Sequence, residues 1–117
     1  MPFKFEKLDV WKLAIEMGND IHFLTRSFPK EEMFSLSSQM KRAADSISLN
    51  IAEGSTGQSN PEQLRFLGYA LRSALEVVNC LYLGIKRNYF TEEIFNSFYL
   101  RLEILVAKIN AFKKSIK

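Results

Sequence analysis

Apolar residues recur at steps of three and four in four successive segments of this chain, the spacing that gathers side chains on one face of an α-helix. Nowhere do they alternate singly between hairpin turns, as half-buried strands would. The first segment carries Val10, Ala14, Met17, Ile21, Leu24 and Phe28, with Trp11 beside its start and Asp9 as the expected N-cap. Pro29 should expel Phe28 from helical geometry and end it. The second runs from about Leu36 to Glu53, with Leu36, Met40, Ala43, Ile47, Asn50 and Ile51 on one face and Ser35 as its cap. The third opens with "NPEQL": Asn60 caps, Pro61 fills the first turn where its missing N–H costs nothing, and Gln63 completes a capping box. Its expected core stripe is Leu64, Leu67, Leu71, Leu75, Val78, Tyr82 and Ile85. The fourth begins at Thr91, with Glu92 and Glu93 in the first turn, and continues through Phe95, Phe98, Leu102, Leu105, Ile109, Phe112 and Ile116. Lysines gather toward its end, where the helix dipole favours cations.

The three prolines, Pro2, Pro29 and Pro61, all fall at boundaries, and the connections are short, so neighbouring helices should run antiparallel. The expectation is an all-α, up-and-down four-helix bundle forming one domain over residues 1–117. A chain of this length buries about 65% of the surface its unfolded form exposes and needs no disulfide or metal to fold. The single Cys80 cannot form an internal disulfide, and one histidine, His22, leaves no Cys/His zinc cluster. Cys80 reads as a small packing residue and His22 as a solvated side chain. No metal or cofactor is expected. No apolar run approaches the ~20 residues of a membrane span. No basic-then-apolar leader opens "MPFKFEKLDVWK", so no signal peptide is expected, and the lack of a disulfide framework suits a reducing cytoplasm.

The stretch "SISLNIAEGSTGQSN", residues 46–60, breaks the apolar rhythm. Gly54 is the expected left-handed C′ residue, with "STGQSN" as the turn. Asn50 falls on or beside the buried stripe, where its amide must be hydrogen-bonded, to backbone at the turn or across to another helix. Glu53 sits in the last turn, where the dipole disfavours an anion, and calls for a cation from Arg65 or from another chain. One carboxylate without a second acid, a nucleophile–base pair or metal ligands is poor catalytic equipment, so a non-enzymatic protein is expected.

Helix 3 carries a second stripe, Phe66, Ala70, Ser73, Val77, Cys80 and Gly84, mostly small residues that let another backbone approach. Helix 4 adds Leu100, Ile104, Ala107 and Ala111 off its main stripe. Either these faces are buried on two sides within one chain or they meet a second subunit. Apolar surface beyond the needs of a core marks association, so Ala70, Ser73, Val77, Cys80 and Gly84 are candidate contacts in a homo-oligomer. The net charge of +3 permits an anionic partner. Lys41 and Arg42 on helix 2, with Arg65 and Arg72 on one face of helix 3, are the candidate cations for nucleic acid. Arg72 could instead pair with Glu76. Repetition around an oligomer would make such a patch multivalent.

"LDVWKLA", "LTRSFPKEE", "SSQMKRAADSISLNIAEGS" and "RFLGYALRSALE" together resemble the bacterial four-helix-bundle proteins known as 23S rRNA intervening sequence proteins. The resemblance spans Phe5 to about Glu76, and the "SI..NIAEG" block after "Q..RA" is its most specific part. It implies a protein encoded within 23S rRNA gene insertions or elsewhere on bacterial chromosomes. The family is similar to the accessory variability protein of diversity-generating retroelements, a homopentamer of four-helix bundles that binds nucleic acid through basic surfaces and associates with a reverse transcriptase. By resemblance, then, a pentamer and an RNA or DNA partner are expected; nothing in this chain names a reverse-transcriptase partner. Lys41 and Arg42 match the family's paired basic residues. Gln58 stands where an arginine is common, and Arg72 where a glycine is common. Asn50, Glu53 and Gly54 match the signature, with an architectural role implied. The alternative is a self-assembling protein-interaction module with no nucleic-acid role.

Overall fold

The computed structural model describes residues 2–57 and 59–116, which leaves the expected departure at Gln58 outside the described residues. A short 3₁₀ turn, Lys4–Lys7, precedes α1 (Asp9–Thr25). A second, Lys30–Glu32, precedes α2 (Leu36–Gly54), and α3 (Asn60–Lys86) and α4 (Glu92–Ser115) follow. The longest helix, α3, has 27 residues, about 40 Å at 1.5 Å per residue. It runs the whole length of a bundle measuring 43 × 23 × 23 Å.

Contacts along the seams establish the antiparallel order. Between α2 and α3, Gly54 stands against Gln63 and Phe66, Ser46 meets Ser73 midway, and Gln39 meets Glu76. Between α3 and α4, Gly68 lies by Lys113, and the Tyr82 ring meets Phe95 and Tyr99. Gly18 packs on Ala44 between α1 and α2, and Arg101 bonds Asp20 between α4 and α1. The four-helix up-and-down bundle is therefore the observed fold. Its α4 packs mainly on α3 and lightly on α1, giving only Leu102, Leu105 and Ile109 as buried residues.

The small-residue stripe of α3 enters the core of the single chain, while the stripe expected to fill it is mostly half-buried, with Leu71, Val78 and Ile85 packed against the core's edge. Ala70, Val77, Cys80 and Gly84 are buried within the single chain, with Leu67, Ala74 and Leu81. Ser73 is half-buried, its hydroxyl donating to Ser46 on α2. These residues are thus not available as oligomer contacts. Short side chains let α2 and α3 approach closely, and that approach consumes the small-residue face. Of the expected stripe, Leu67 alone is buried, while Leu75 and Tyr82 are exposed.

Helix ends differ in instructive ways. The Thr91 hydroxyl accepts the Ile94 N–H, as expected. At α3 the cap is Ser59, which accepts the Glu62 N–H, one residue before the expected Asn60; Gln63 donates to the Ser55 hydroxyl instead of closing a capping box. Leu8, not Asp9, holds the N-cap position of α1. That helix ends at Thr25, yet Phe28 stays in the core against Tyr89 and Phe90. Ser35 precedes α2, but its hydroxyl donates to Glu32, whose carboxylate accepts the Leu36 N–H.

Gly54 is not left-handed. It is the last residue of α2, buried in helical geometry, and a Cβ there would lie 2.7 Å from the Phe66 Cβ. Its glycine is required by close approach, not by backbone sign. The turn's positive φ falls at Gly57 (87°). A left-handed helix cap does occur, at Asn88 (φ 61°) after α3. There Tyr89 N–H bonds Gly84 C=O and Asn88 N–H bonds Ile85 C=O, the paired bonds of a Schellman motif.

Candidate nucleic-acid interface

The cations singled out in the sequence do not form one patch. Lys41 and Arg42 are consecutive on α2, so helical geometry turns them about 100° apart. Lys41 lines a recess between α1 and α2, whereas Arg42 is exposed. Neither forms an ion pair among the described residues.

Arg65 and Arg72 do share a face of α3, and the structure adds a member. Gly68 lies between them, three residues from one and four from the other, which makes all three neighbours on that face. The Lys113 ammonium of α4 reaches over it: a Cβ on Gly68 would be 3.9 Å from Lys113 Nζ. The α3–α4 seam thus carries Lys113 over the face of α3 that bears Arg65 and Arg72. Arg65 pairs with Glu62 and stacks on the Phe66 ring, which offsets part of its charge. Arg72 is exposed, and the expected pairing with Glu76 does not form; Glu76 accepts from Gln39. Between Glu103 and Ile116 no acid occurs, whereas Lys108, Lys113 and Lys114 do. A solvated basic face of this kind attracts polyanions because like charges held together gain more from a phosphate chain than from scattered counterions. The lysines at the end of α4 were the sequence signal for Lys113, but the dipole accounts for them equally well, and only the α3–α4 pairing brings one over Gly68.

The signature residues behave architecturally in part. Asn50 is half-buried, and its amide donates to the Ser46 carbonyl (2.8 Å) and hydroxyl (2.9 Å). It reaches α3 only through Ser46, which accepts from Ser73. Glu53 is exposed and has no cation partner among the described residues, since Arg65 turns to Glu62. His22 is not merely solvated: its Nε2 lies 2.9 Å from Asp45 Oδ2 on α2.

One buried carboxylate escaped the sequence reading. Glu32 ties the α1–α2 connection to the α3–α4 connection, accepting from Tyr89 Oη (2.6 Å), Arg87 (2.9 Å), Ser35 and the Leu36 N–H. The Tyr89 bond, then the Ser35 bond, and less strongly the Leu36 N–H and Arg87, outweigh burial and lower its pKa from 4.5 to about 2. Conversely, the Glu32 bond raises the Tyr89 phenol. A carboxylate held ionised by four donors fastens two loops and is ill placed to exchange protons near neutral pH. Burial, with the nearby Glu76 charge, pushes the Cys80 thiol up to about 11, so it is not a poised nucleophile. Among the described residues no group of three His, Cys, Asp or Glu side chains is placed to hold a metal ion, and no helix is long and apolar enough to cross a membrane.

Comparison with known proteins agrees with this architecture. A solved structure of unknown function from the S23 ribosomal protein family of Bacteroides thetaiotaomicron VPI-5482 is similar, with TM-score 0.83 and 27% identity over 90% of this chain and 95% of that one. No curated protein matches. The family model for the 23S rRNA-intervening sequence protein matches residues 6–111, and on that match the chain belongs to the 23S rRNA-intervening sequence protein family.

Proposed function

We propose that this protein is a non-enzymatic, self-associating helical bundle that binds structured RNA through the α3–α4 seam. The observation that carries the reading is the Lys113 ammonium over Gly68, between Arg65 and Arg72. Association is supported by large apolar side chains left in solvent on three helices: Leu49 on α2 (60% exposed), Leu75 on α3 (61%) and Leu100 on α4 (56%). Glu53 follows Leu49 by one helical turn and is open to a cation from another copy. A ring of five is what the family's similarity to the accessory variability protein implies. Repetition of the seam would then raise avidity without new contacts.

Titration of a fluorescent RNA hairpin across a salt series tests this directly. Affinity should fall steeply with salt, and R72Q with K113Q should flatten the log–log slope by about 1 per removed cation on each bound copy. Absence of binding in dilute buffer refutes the RNA reading, and a bare-chain molar mass by light scattering at micromolar concentration refutes association. Association without RNA binding would favour the second reading, a self-assembling interaction module, which the same exposed leucines support.

A further inference from the structure

At the end of the bundle where α1 passes to α2, a recess of about 310 Å³ opens between the two helices. Its lining draws cations from three successive pieces of chain: Arg26 after α1, Lys30 at the start of the second 3₁₀ turn, and Lys41 on α2. His22, whose Nε2 lies 2.9 Å from the Asp45 carboxylate, completes it, and among the described residues no carboxylate side chain is part of the lining itself. Arg26, Lys30 and Lys41 form no ion pair among the described residues. Beside this concentration of charge stand two flat rings that packing does not use. Phe34, next to the recess-lining Met33, is 91% exposed. Phe23 is 69% exposed, and the Arg26 guanidinium stacks over it at 5.4 Å.

We infer that this end of the bundle binds single-stranded nucleic acid, with phosphates held in the recess by Arg26, Lys30 and Lys41 and bases stacked on Phe34 and Phe23. The pattern of charge beside separate exposed rings selects the ligand. An apolar partner would want a continuous greasy groove, and a second copy of this basic chain would meet like charge. A single strand instead alternates an anionic link with a flat π-face, which is what cations interleaved with solvent-facing aromatics accommodate. The Arg26–Phe23 stack also holds a guanidinium and a ring together before any ligand arrives, which limits the ordering cost of binding. This inference rests on the proposed affinity for nucleic acid, yet it uses none of the residues of the α3–α4 seam.

The test compares a fluorescein-labelled thymidine oligonucleotide, an abasic oligomer of equal length and an RNA hairpin, against the full-length protein, F34A and K41Q. The thymidine strand should bind more tightly than the abasic one. F34A should weaken thymidine-strand binding by about fivefold or more and erase that preference. K41Q should weaken both strands alike and lower their salt slopes, and neither variant should alter hairpin binding at the α3–α4 seam. Equal affinity for the thymidine and abasic strands overturns the inference. So does an F34A variant that keeps its affinity but loses molar mass in light scattering, which would assign the ring to an interface between copies. Hairpin binding that survives either result leaves the α3–α4 reading standing, so the two failures are distinguishable.

Discussion

Replacing Gly54 with alanine should destabilise the protein, and the reason is measurable. The new Cβ would lie 2.7 Å from the Phe66 Cβ, with the Gln63 carbonyl oxygen at 3.4 Å and its Cα at 3.5 Å. Carbon atoms pack comfortably at about 3.5–4.0 Å, so the end of α2 and the start of α3 must part by about 1 Å. No rotamer change relieves the contact, because the Phe66 Cβ is fixed to the backbone. Overpacking of this kind costs about 1–3 kcal/mol. Alanine recovers about 0.5–1 kcal/mol because it loses less backbone entropy than glycine in a helix, leaving a net loss centred on about 1 kcal/mol and reaching at most about 2.5 kcal/mol. With an m-value near 2 kcal/mol/M, the urea midpoint read by circular dichroism should fall by about 0.5 M. Protein concentration must be held constant, since association shifts apparent stability.

A left-handed cap would also disfavour alanine, so the discriminating variant is Gly54→Asn. Asparagine tolerates the left-handed region and would be nearly neutral at a cap of that kind. At a close approach it is at least as damaging as alanine. A double-mutant cycle with Phe66→Gly isolates the contact: in that background most of the alanine penalty should vanish. A Gly54→Asn protein that unfolds with the parent, or an alanine penalty unchanged without the Phe66 Cβ, refutes the packing argument.

Further outcomes follow from the ties and caps. Glu32 has a folded-state pKa of about 2 against an ordinary 4.5, so between these values the unfolded chain binds more protons. Its stabilisation is complete above pH 4.5 and is lost as pH falls toward 2; Glu32→Gln should flatten that acid limb in urea midpoints and lower stability near neutral pH. Asn50→Ala removes an amide bonded to Ser46 and should cost about 1 kcal/mol in the same assay. Asn88→Val forces a β-branched residue to φ 61° and should cost about 1–2 kcal/mol, whereas Asn88→Gly should be neutral or slightly stabilising. Cys80 should resist a thiol reagent in the native protein and react on unfolding, because burial disfavours its thiolate.

Element type and order were legible because periodicity and caps are local. Thr91 is an example: its hydroxyl and the Ile94 N–H it accepts lie within a single turn. Which face of α3 enters the core was not legible, because Leu64–Ile85 and Ala70–Gly84 both satisfy helical spacing. The choice depends on the partner helix. Ser46 and Gly54 on α2 meet Ser73 and Phe66, and only a small-residue face can come that close. Gly54 was misread for a related reason: one letter serves a left-handed backbone and a missing Cβ alike. Where Ser59 and Asn60 both suit a cap, sequence offers no reason to prefer either. Glu32 was hidden more completely, since its partners Arg87 and Tyr89 lie more than fifty residues away.

The candidate sites were split and completed by the same long-range pairings. Arg65, Gly68 and Arg72 lie roughly opposite the small-residue face of α3, by the turn of the helix. Docking that face on α2 is what points them outward, and antiparallel α4 then lays Lys113 over Gly68. The close α2–α3 seam and the placement of the cations are therefore consequences of one rotation of α3 about its axis. A rotation that instead buried the larger Leu64–Ile85 stripe would turn Gly68 toward the interior and draw Arg65 and Arg72 toward α4. An architectural substitution at Gly54 should thus weaken RNA binding through the tilt of α3, without touching a cation. If Gly54→Ala loosened the fold yet left both the affinity and the salt slope of the hairpin unchanged, the seam and the charges would have to be independent features.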